Sequence, residues 1–419
     1  MSTSGNGTSS EMKLYDLRTL SRGQTFIADQ SFQGEGASVI ALVKTGARDE
    51  QQGEFGISHF LEHMVFKGTH KRSAMELTLA FGDLGAQVNA YTSDEQTVYY
   101  GTVLKEHVPA LHDLLMDMLS PALDQAEFDV EKKVILEEIA LYQDRPTYVL
   151  YESATEDFFG GKGVGQSVLG TTQSVSDISR ETMAGYVDRR YSAPNVVVSI
   201  CGDIDTEYYA KLTEERLAGL AAKAVSPSPE SSPRLHGEER ILHHPKNTQA
   251  HLLGLSPGPC ATDPLRYAAM LIGVIVGDSQ NSRLYWELID SGLAEYASFD
   301  TEDKDGVGSW MLSLATNPEQ IDEVREKALK VLSNVHGSLT AAELERAKTK
   351  SLSRLVMDSE LPLGRAMANA LSLQYRGEPF VLKEEMANIA AVSLKQCNDL
   401  LEKFPIVGPN LYTMLPEKK

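Results

Sequence analysis

His59, Glu62 and His63 fall in one short run, His59-Phe60-Leu61-Glu62-His63, flanked by Gly56 and Gly68 and by the apolar Ile57, Met64, Val65 and Phe66. On a helix at about 100° per residue the two histidines stand roughly 40° apart on one face, one turn above the other. Glu62 projects beside them, roughly 60° to the other side of His59. Two neutral imidazoles so placed can hold one zinc ion at ~2.0–2.1 Å, and a catalytic zinc takes a third protein ligand and leaves one position open for water. A carboxylate next to that water can take its proton during attack on a peptide carbonyl and pass it to the leaving amine. The order H-x-x-E-H reverses the commoner H-E-x-x-H zinc motif. Without a third ligand, the same residues would be two packed helix histidines and a surface glutamate.

The run from Glu127 to Tyr142 supplies candidates for that ligand. It has helical character and carries Glu131, Glu137 and Glu138. Glu131 and Glu138, seven residues apart, fall within roughly 20° of the same face, whereas Glu137 points about 100° away. One face of this helix therefore presents two carboxylates.

Together the two segments resemble the pitrilysin-type (inverzincin) zinc metallopeptidases, and among them the short bacterial relatives of mitochondrial processing peptidase. The family pattern H-x-x-E-H followed by E-x-x-V-I-x-x-E is spelled here by His59 to His63 and by Glu131-Lys132-Lys133-Val134-Ile135-Leu136-Glu137-Glu138. The resemblance implies that His59, His63 and Glu138 hold one Zn²⁺ per chain, that Glu62 is the catalytic base, and that Glu131 orients a ligand or the water. It also implies that the strand Asn89-Ala90-Tyr91-Thr92 is an exposed edge on which a peptide substrate adds as a further strand, pairing through its backbone.

Composition sets outer bounds. The chain has 419 residues, 42% hydrophobic and 23% charged, which is globular in character and too long for one ordinary core. A formal net charge of -20 argues against nucleic-acid or anionic-membrane partners, whose phosphates it would repel. No apolar run approaches the ~20 residues of a membrane span. Cys201, Cys260 and Cys397 are odd in number and far apart, so they form neither a disulfide framework nor a C-x-x-C metal pair. A reducing, cytoplasmic setting is expected.

The elements that must position these residues follow in order. Residues 1–12 are polar and read as a disordered tail. The stretches Gln24–Ala28 and Ala37–Val43 read as paired strands leading into the histidine helix, and a helix runs from Ser73 to Leu84. Gln87–Thr92 and Gln96–Val103 alternate as a hairpin around Ser93-Asp94-Glu95. Helices are expected at 106–119, 125–143, 148–158, 182–191 and 205–221, with a buried strand from Asn195 to Gly202. Residues 13–221 would form the zinc-binding α+β domain. The Ser-Pro-rich 222–238 reads as a linker.

Beyond it the order of elements repeats: strands over 240–256 and 295–316, helices at 264–277, 318–335 and 341–376, and a last helix and strand at 393–414. The expected fold is thus α+β, two homologous sheet-plus-helix domains facing across a cavity like a clamshell, the second spanning 239–419. That half has no H-x-x-E-H, and His243, His244 and His251 lack an acidic helix partner, so they read as structural. In the family it contributes a substrate-binding arginine and tyrosine. Tyr296 matches the tyrosine, but Ile289 stands at the arginine position. The resemblance therefore leaves two roles: a zinc endopeptidase acting on peptides or unfolded segments as a homodimer or a heterodimer with a sister subunit, or a non-catalytic or partner-dependent subunit that binds peptides.

Overall fold

The computed structural model describes residues 15–417; the tail expected at 1–12 lies outside them. Two mixed sheets organise the chain. The first is built from β1 (Tyr15–Thr19), β2 (Thr25–Asp29), β3 (Gly36–Val43), β4 (Gln87–Thr92), β5 (Thr97–Leu104) and β6 (Val196–Cys201), in the order β1-β2-β6-β3-β5-β4. The second is built from β7 (Glu239–His244), β8 (Ala250–Gly258), β9 (Tyr296–Asp303), β10 (Gly308–Thr316) and β11 (Asn410–Pro416), in the order β7-β11-β8-β10-β9.

The first half holds helices α1 (Ile57–Val65), α2 (Ala74–Asp83), α3 (Val108–Met118), α4 (Gln125–Gln143), α5 (Pro146–Phe159), α6 (Thr172–Asp177), α7 (Arg180–Arg190) and α8 (Thr206–Arg216). The second holds α9 (Arg266–Gly277), α10 (Ile321–Ser333), α11 (Ala341–Ser359), α12 (Pro362–Tyr375), α13 (Leu382–Ala391) and α14 (Leu394–Lys403).

Three expectations are corrected. The strands at 24–28 and 37–43 are not partners, because β6 runs between them, parallel to β2 and antiparallel to β3. All six residues of β6 are buried, and a continuously apolar strand gains most at the sheet centre. The helical stretch at 341–376 is two helices: Pro362, which cannot continue α11's hydrogen bonding, starts α12 at its first turn. The third is α13, which lay in a stretch given no element.

Pro362 matters for the architecture. α12 leaves the second half and lies on the first sheet, where Ala366, Ala370 and Leu373 pack on Ile27, Ile40, Leu42, Val98, Val197 and Cys201. α5 makes the reciprocal move: Leu150, Ala154, Phe158 and Phe159 pack on Leu253, Leu255, Tyr412 and Met414 of the second sheet. Each sheet thus has one face covered by a helix from the other half. The segment between α8 and β7 has no regular structure, as its composition implies, yet it is fastened. Ser228 Oγ donates to Asp49 (2.5 Å), the Pro229 carbonyl accepts from Arg48 (2.9 Å), and Arg234 N donates to the Phe158 carbonyl (2.7 Å).

Candidate metal centre and active site

α1 begins where Gly56 takes φ +90°, a left-handed conformation that glycine adopts without strain, and an added Cβ there would meet the Leu169 carbonyl at 2.6 Å. The Glu50 carboxylate caps the new helix, accepting from Gly56 N and Ser58 N at 2.8 Å each. Burial nevertheless pushes the Glu50 carboxyl up to about 8. Ser58 Oγ meets the buried Tyr186 hydroxyl at 2.7 Å, and Phe60 stacks on Phe128 of α4 at 4.7 Å between centroids. In α4, Phe128, Glu131, Ile135 and Ile139 are buried at helical spacing. The apolar members dock α4 on α1 and carry Glu131 inward with them.

This docking brings the expected ligands together. One ligand atom each from His59, His63 and Glu138 lie within 4.8 Å of one another. Glu138 Oε2 is 3.8 Å from His59 Nε2 and 3.6 Å from His63 Nε2. Ligands at zinc distances around a tetrahedral ion are about 3.3 Å apart, so the two separations to Glu138 are a few tenths of an ångström long and the set, no pair of it beyond 4.8 Å, would draw inward to hold an ion. Two imidazoles and one carboxylate are also a donor set typical of catalytic zinc. Glu131, 3% exposed, accepts from His63 Nδ1 at 2.9 Å and pairs with Lys67 at 2.7 Å, which fixes the His63 ring with Nε2 towards Glu138. Among the described residues His59 has no such partner: its Nδ1 is buried without a hydrogen bond, and the ring packs edge-on to His63 at 4.8 Å.

Charge follows the same pattern. Burial, then the neighbouring His63, pushes His59 down to about 3, so it is neutral, the form that binds metal. Burial would also lower His63, but Glu131, Glu138 and Glu62 outweigh it and raise its affinity for a proton. The same carboxylates favour a divalent cation at that place. Glu131 is held below the usual carboxylate range, its burial being outweighed by His63 and Lys67.

Glu62 faces the same groove, and burial raises its carboxyl. Thr92 Oγ1 donates to Glu62 Oε2 at 2.7 Å. β4 is the edge of the first sheet and pairs with β5 alone among the described strands. On it, Tyr91 and Thr92 line the groove, whereas Asn89 is exposed and binds the adjacent Ala90 N–H through its own side chain (2.9 Å). The groove measures about 470 Å³ and is completed by Tyr142, Tyr148, Tyr151, Glu152, Val168 and Leu169, all from the first half. Tyr296 does not reach it. It is half exposed and lines a separate hollow of about 370 Å³ together with Ile289 and Arg354.

Lys67, the Thr92–Glu62 hydrogen bond and the tyrosine wall were not foreseen. A threonine at the end of an edge strand gives no hint of what its hydroxyl will meet.

Two α+β halves, one of them carrying an H-x-x-E-H helix docked against a glutamate-bearing helix, define the class of pitrilysin-like zinc peptidase folds. The chain belongs to peptidase family M16: residues 26–172 match the model described as insulinase (peptidase family M16), and 177–351 match the one described as peptidase M16 inactive domain. It is 29% identical over 389 residues to the uncharacterized zinc protease YmxG of Bacillus subtilis, covering 91% of this chain and 93% of that one. Over 360 residues it is 29% identical to the mitochondrial-processing peptidase subunit beta of Lentinula edodes, covering 82% of this chain and 77% of that one. In fold it matches a protease from Helicobacter pylori with TM-score 0.88 at 19% identity, over 96% of this chain and 99% of that one.

Proposed function

We propose that the protein is a zinc-dependent endopeptidase that hydrolyses peptides or unfolded segments. The observation that carries this is the convergence of His59, His63 and Glu138 beside Glu62 in one groove. His59, His63 and Glu138 would hold one zinc ion, with Glu131 and Lys67 bracing His63. Bound there, zinc would polarise the scissile carbonyl and make a neighbouring water acidic. Glu62 takes the proton of the attacking water and delivers it to the departing amide nitrogen. Asn89, Ala90, Tyr91 and Thr92 receive the substrate as an added strand, which binds backbone without reading sequence.

Thr92 aims Glu62. Replacing it by valine keeps the shape and removes the donor to a charged acceptor, so steady-state kinetics of Thr92→Val should show kcat down about tenfold with KM little changed. Thr92→Ser should restore it.

A second role is favoured by two features. The isoleucine at 289 and the position of Tyr296 outside the groove leave the second half without an evident share in the site, and the groove walls come from one half only. The chain would then need a second copy or a sister subunit to hold substrate, as a partner-dependent or non-catalytic peptide-binding subunit. The similarity to a processing-peptidase subunit supports an oligomeric enzyme. No described helix is long and apolar enough to cross a membrane, and all three cysteines are free thiols, consistent with the cytoplasm.

Cleavage of an internally quenched peptide tests the proposal. The purified chain should cleave it, a chelator should abolish cleavage, and zinc should restore it. Cleavage that survives exhaustive chelation would exclude a metallopeptidase. Cleavage that appears only after a sister subunit is added would select the partner-dependent role.

A further inference from the structure

The groove is walled by the first half, yet one of its walls is held from the second. α5 gives the groove Tyr148, Tyr151 and Glu152, while Leu150, Ala154 and Phe158 of the same helix are sunk in the core it shares with the second sheet. Tyr151 belongs to both environments: it lines the groove and packs against that core. Its hydroxyl donates to the Glu302 carboxylate of β9, 3.2 Å from each oxygen.

The same end of β9 touches the first half at two further points. Lys304 pairs with Asp94 at 2.7 Å, and Asp305 N donates to Glu95 at 3.0 Å. Asp94 and Glu95 lie in the turn that follows Thr92 of β4, the residue that aims Glu62. Burial raises the Glu302 carboxyl, the Lys304 ammonium counters it, and Asp94 adds to the rise. A carboxylate taken from water keeps its place only where it is hydrogen-bonded and paired, and here Tyr151 supplies the first and Lys304 the second. The run from Glu302 to Asp305 is therefore a bracket between the edge strand of the second sheet and two walls of the groove.

A wall side chain that is already fixed need not be ordered when substrate arrives, and each such ordering costs about 0.5–1.5 kcal/mol of binding. We propose that Glu302 is a positioning residue for peptide binding, holding Tyr151 in the groove wall; this rests on the peptide-binding reading of that groove. The second half thus shapes a site to which it lends no lining residue.

Two measurements test it: anisotropy of a labelled peptide on the Glu62→Gln chain, where turnover is too slow to interfere, and steady-state kinetics on the chain with Glu62 intact. Glu302→Leu should weaken peptide affinity and raise KM by about fivefold, with kcat within about twofold because Glu62 and Thr92 stay in place. Glu302→Gln, which keeps a carbonyl oxygen for the Tyr151 hydroxyl, should bind within about twofold of the parent. Tyr151→Phe should weaken binding as Glu302→Leu does, and the double variant no further than either, because both cut one contact. If the leucine variant folds poorly, Tyr151→Phe decides alone. A parent chain that neither binds nor cleaves peptide would sink the endopeptidase proposal and this one together. A parent that binds, with Glu302→Leu or Tyr151→Phe equal to it, would overturn the role of Glu302 alone. So would losses that multiply in the double variant, a loss confined to kcat, or a Glu302→Gln chain as weak as Glu302→Leu.

Discussion

Glu62→Gln should lower kcat/KM for peptide cleavage by about 10³-fold while leaving bound zinc unchanged. The two halves of this expectation have separate causes. Glu62 is not one of the three clustered groups, so the amide substitution leaves the proposed ligand set of His59, His63 and Glu138 intact. It removes the proton acceptor, and a positioned general base contributes about 10²–10⁴-fold. The near-isosteric amide can still accept from Thr92 Oγ1, which donates to Glu62 at 2.7 Å, so the end of β4 should not move. Parallel measurements of zinc content and steady-state rate check it. A variant that loses zinc with activity would make Glu62 a ligand, and one that retains full activity would remove it from the reaction.

Phe158→Ala should destabilise the whole chain by about 3–5 kcal/mol, the usual cost of emptying a fully buried phenylalanine site. Phe158 is 0% exposed, and although α5 belongs to the first half by sequence, it packs on Leu253, Leu255, Tyr412 and Met414 of the second sheet. With α12 covering Ile27, Ile40, Leu42 and Val98 in return, neither half keeps a complete core alone. Denaturant unfolding should therefore show one transition whose midpoint shifts as a unit, whether followed by far-UV circular dichroism or by tryptophan fluorescence. Trp286 and Trp310 both belong to the second half, so a fluorescence transition separate from the dichroism would show that the halves unfold independently.

What was legible in the sequence divides along the range of the interactions. The geometry of His59, Glu62 and His63 depends on one helical turn, and that of Glu131 and Glu138 on two, so periodicity alone placed each set on one face. The hairpin of β4 and β5 was likewise local. The buried strand from Asn195 to Gly202 was legible and is β6, but its place between β2 and β3 was not, because an apolar run fits any central place in a sheet. The exchange of α5 and α12 was hidden for a related reason: an apolar helix face records that it is buried, not against which sheet. Pro362 breaks the stretch read as one helix over 341–376, and neither the break nor the new direction of α12 was taken from the sequence. The partnerships of Lys67 with Glu131 and of Thr92 with Glu62 join residues on different elements and left no trace in spacing.

The central claim is that Glu138 of α4 and the two histidines of α1 share one ion. Zinc content of the purified chain and of Glu138→Gln, with Glu137→Gln as control, tests it most directly. One zinc per chain in the wild type and in Glu137→Gln, with most of it lost from Glu138→Gln, is the predicted result. A wild-type chain that takes up no zinc, or a Glu138→Gln chain that holds it as tightly as the wild type, would contradict the account.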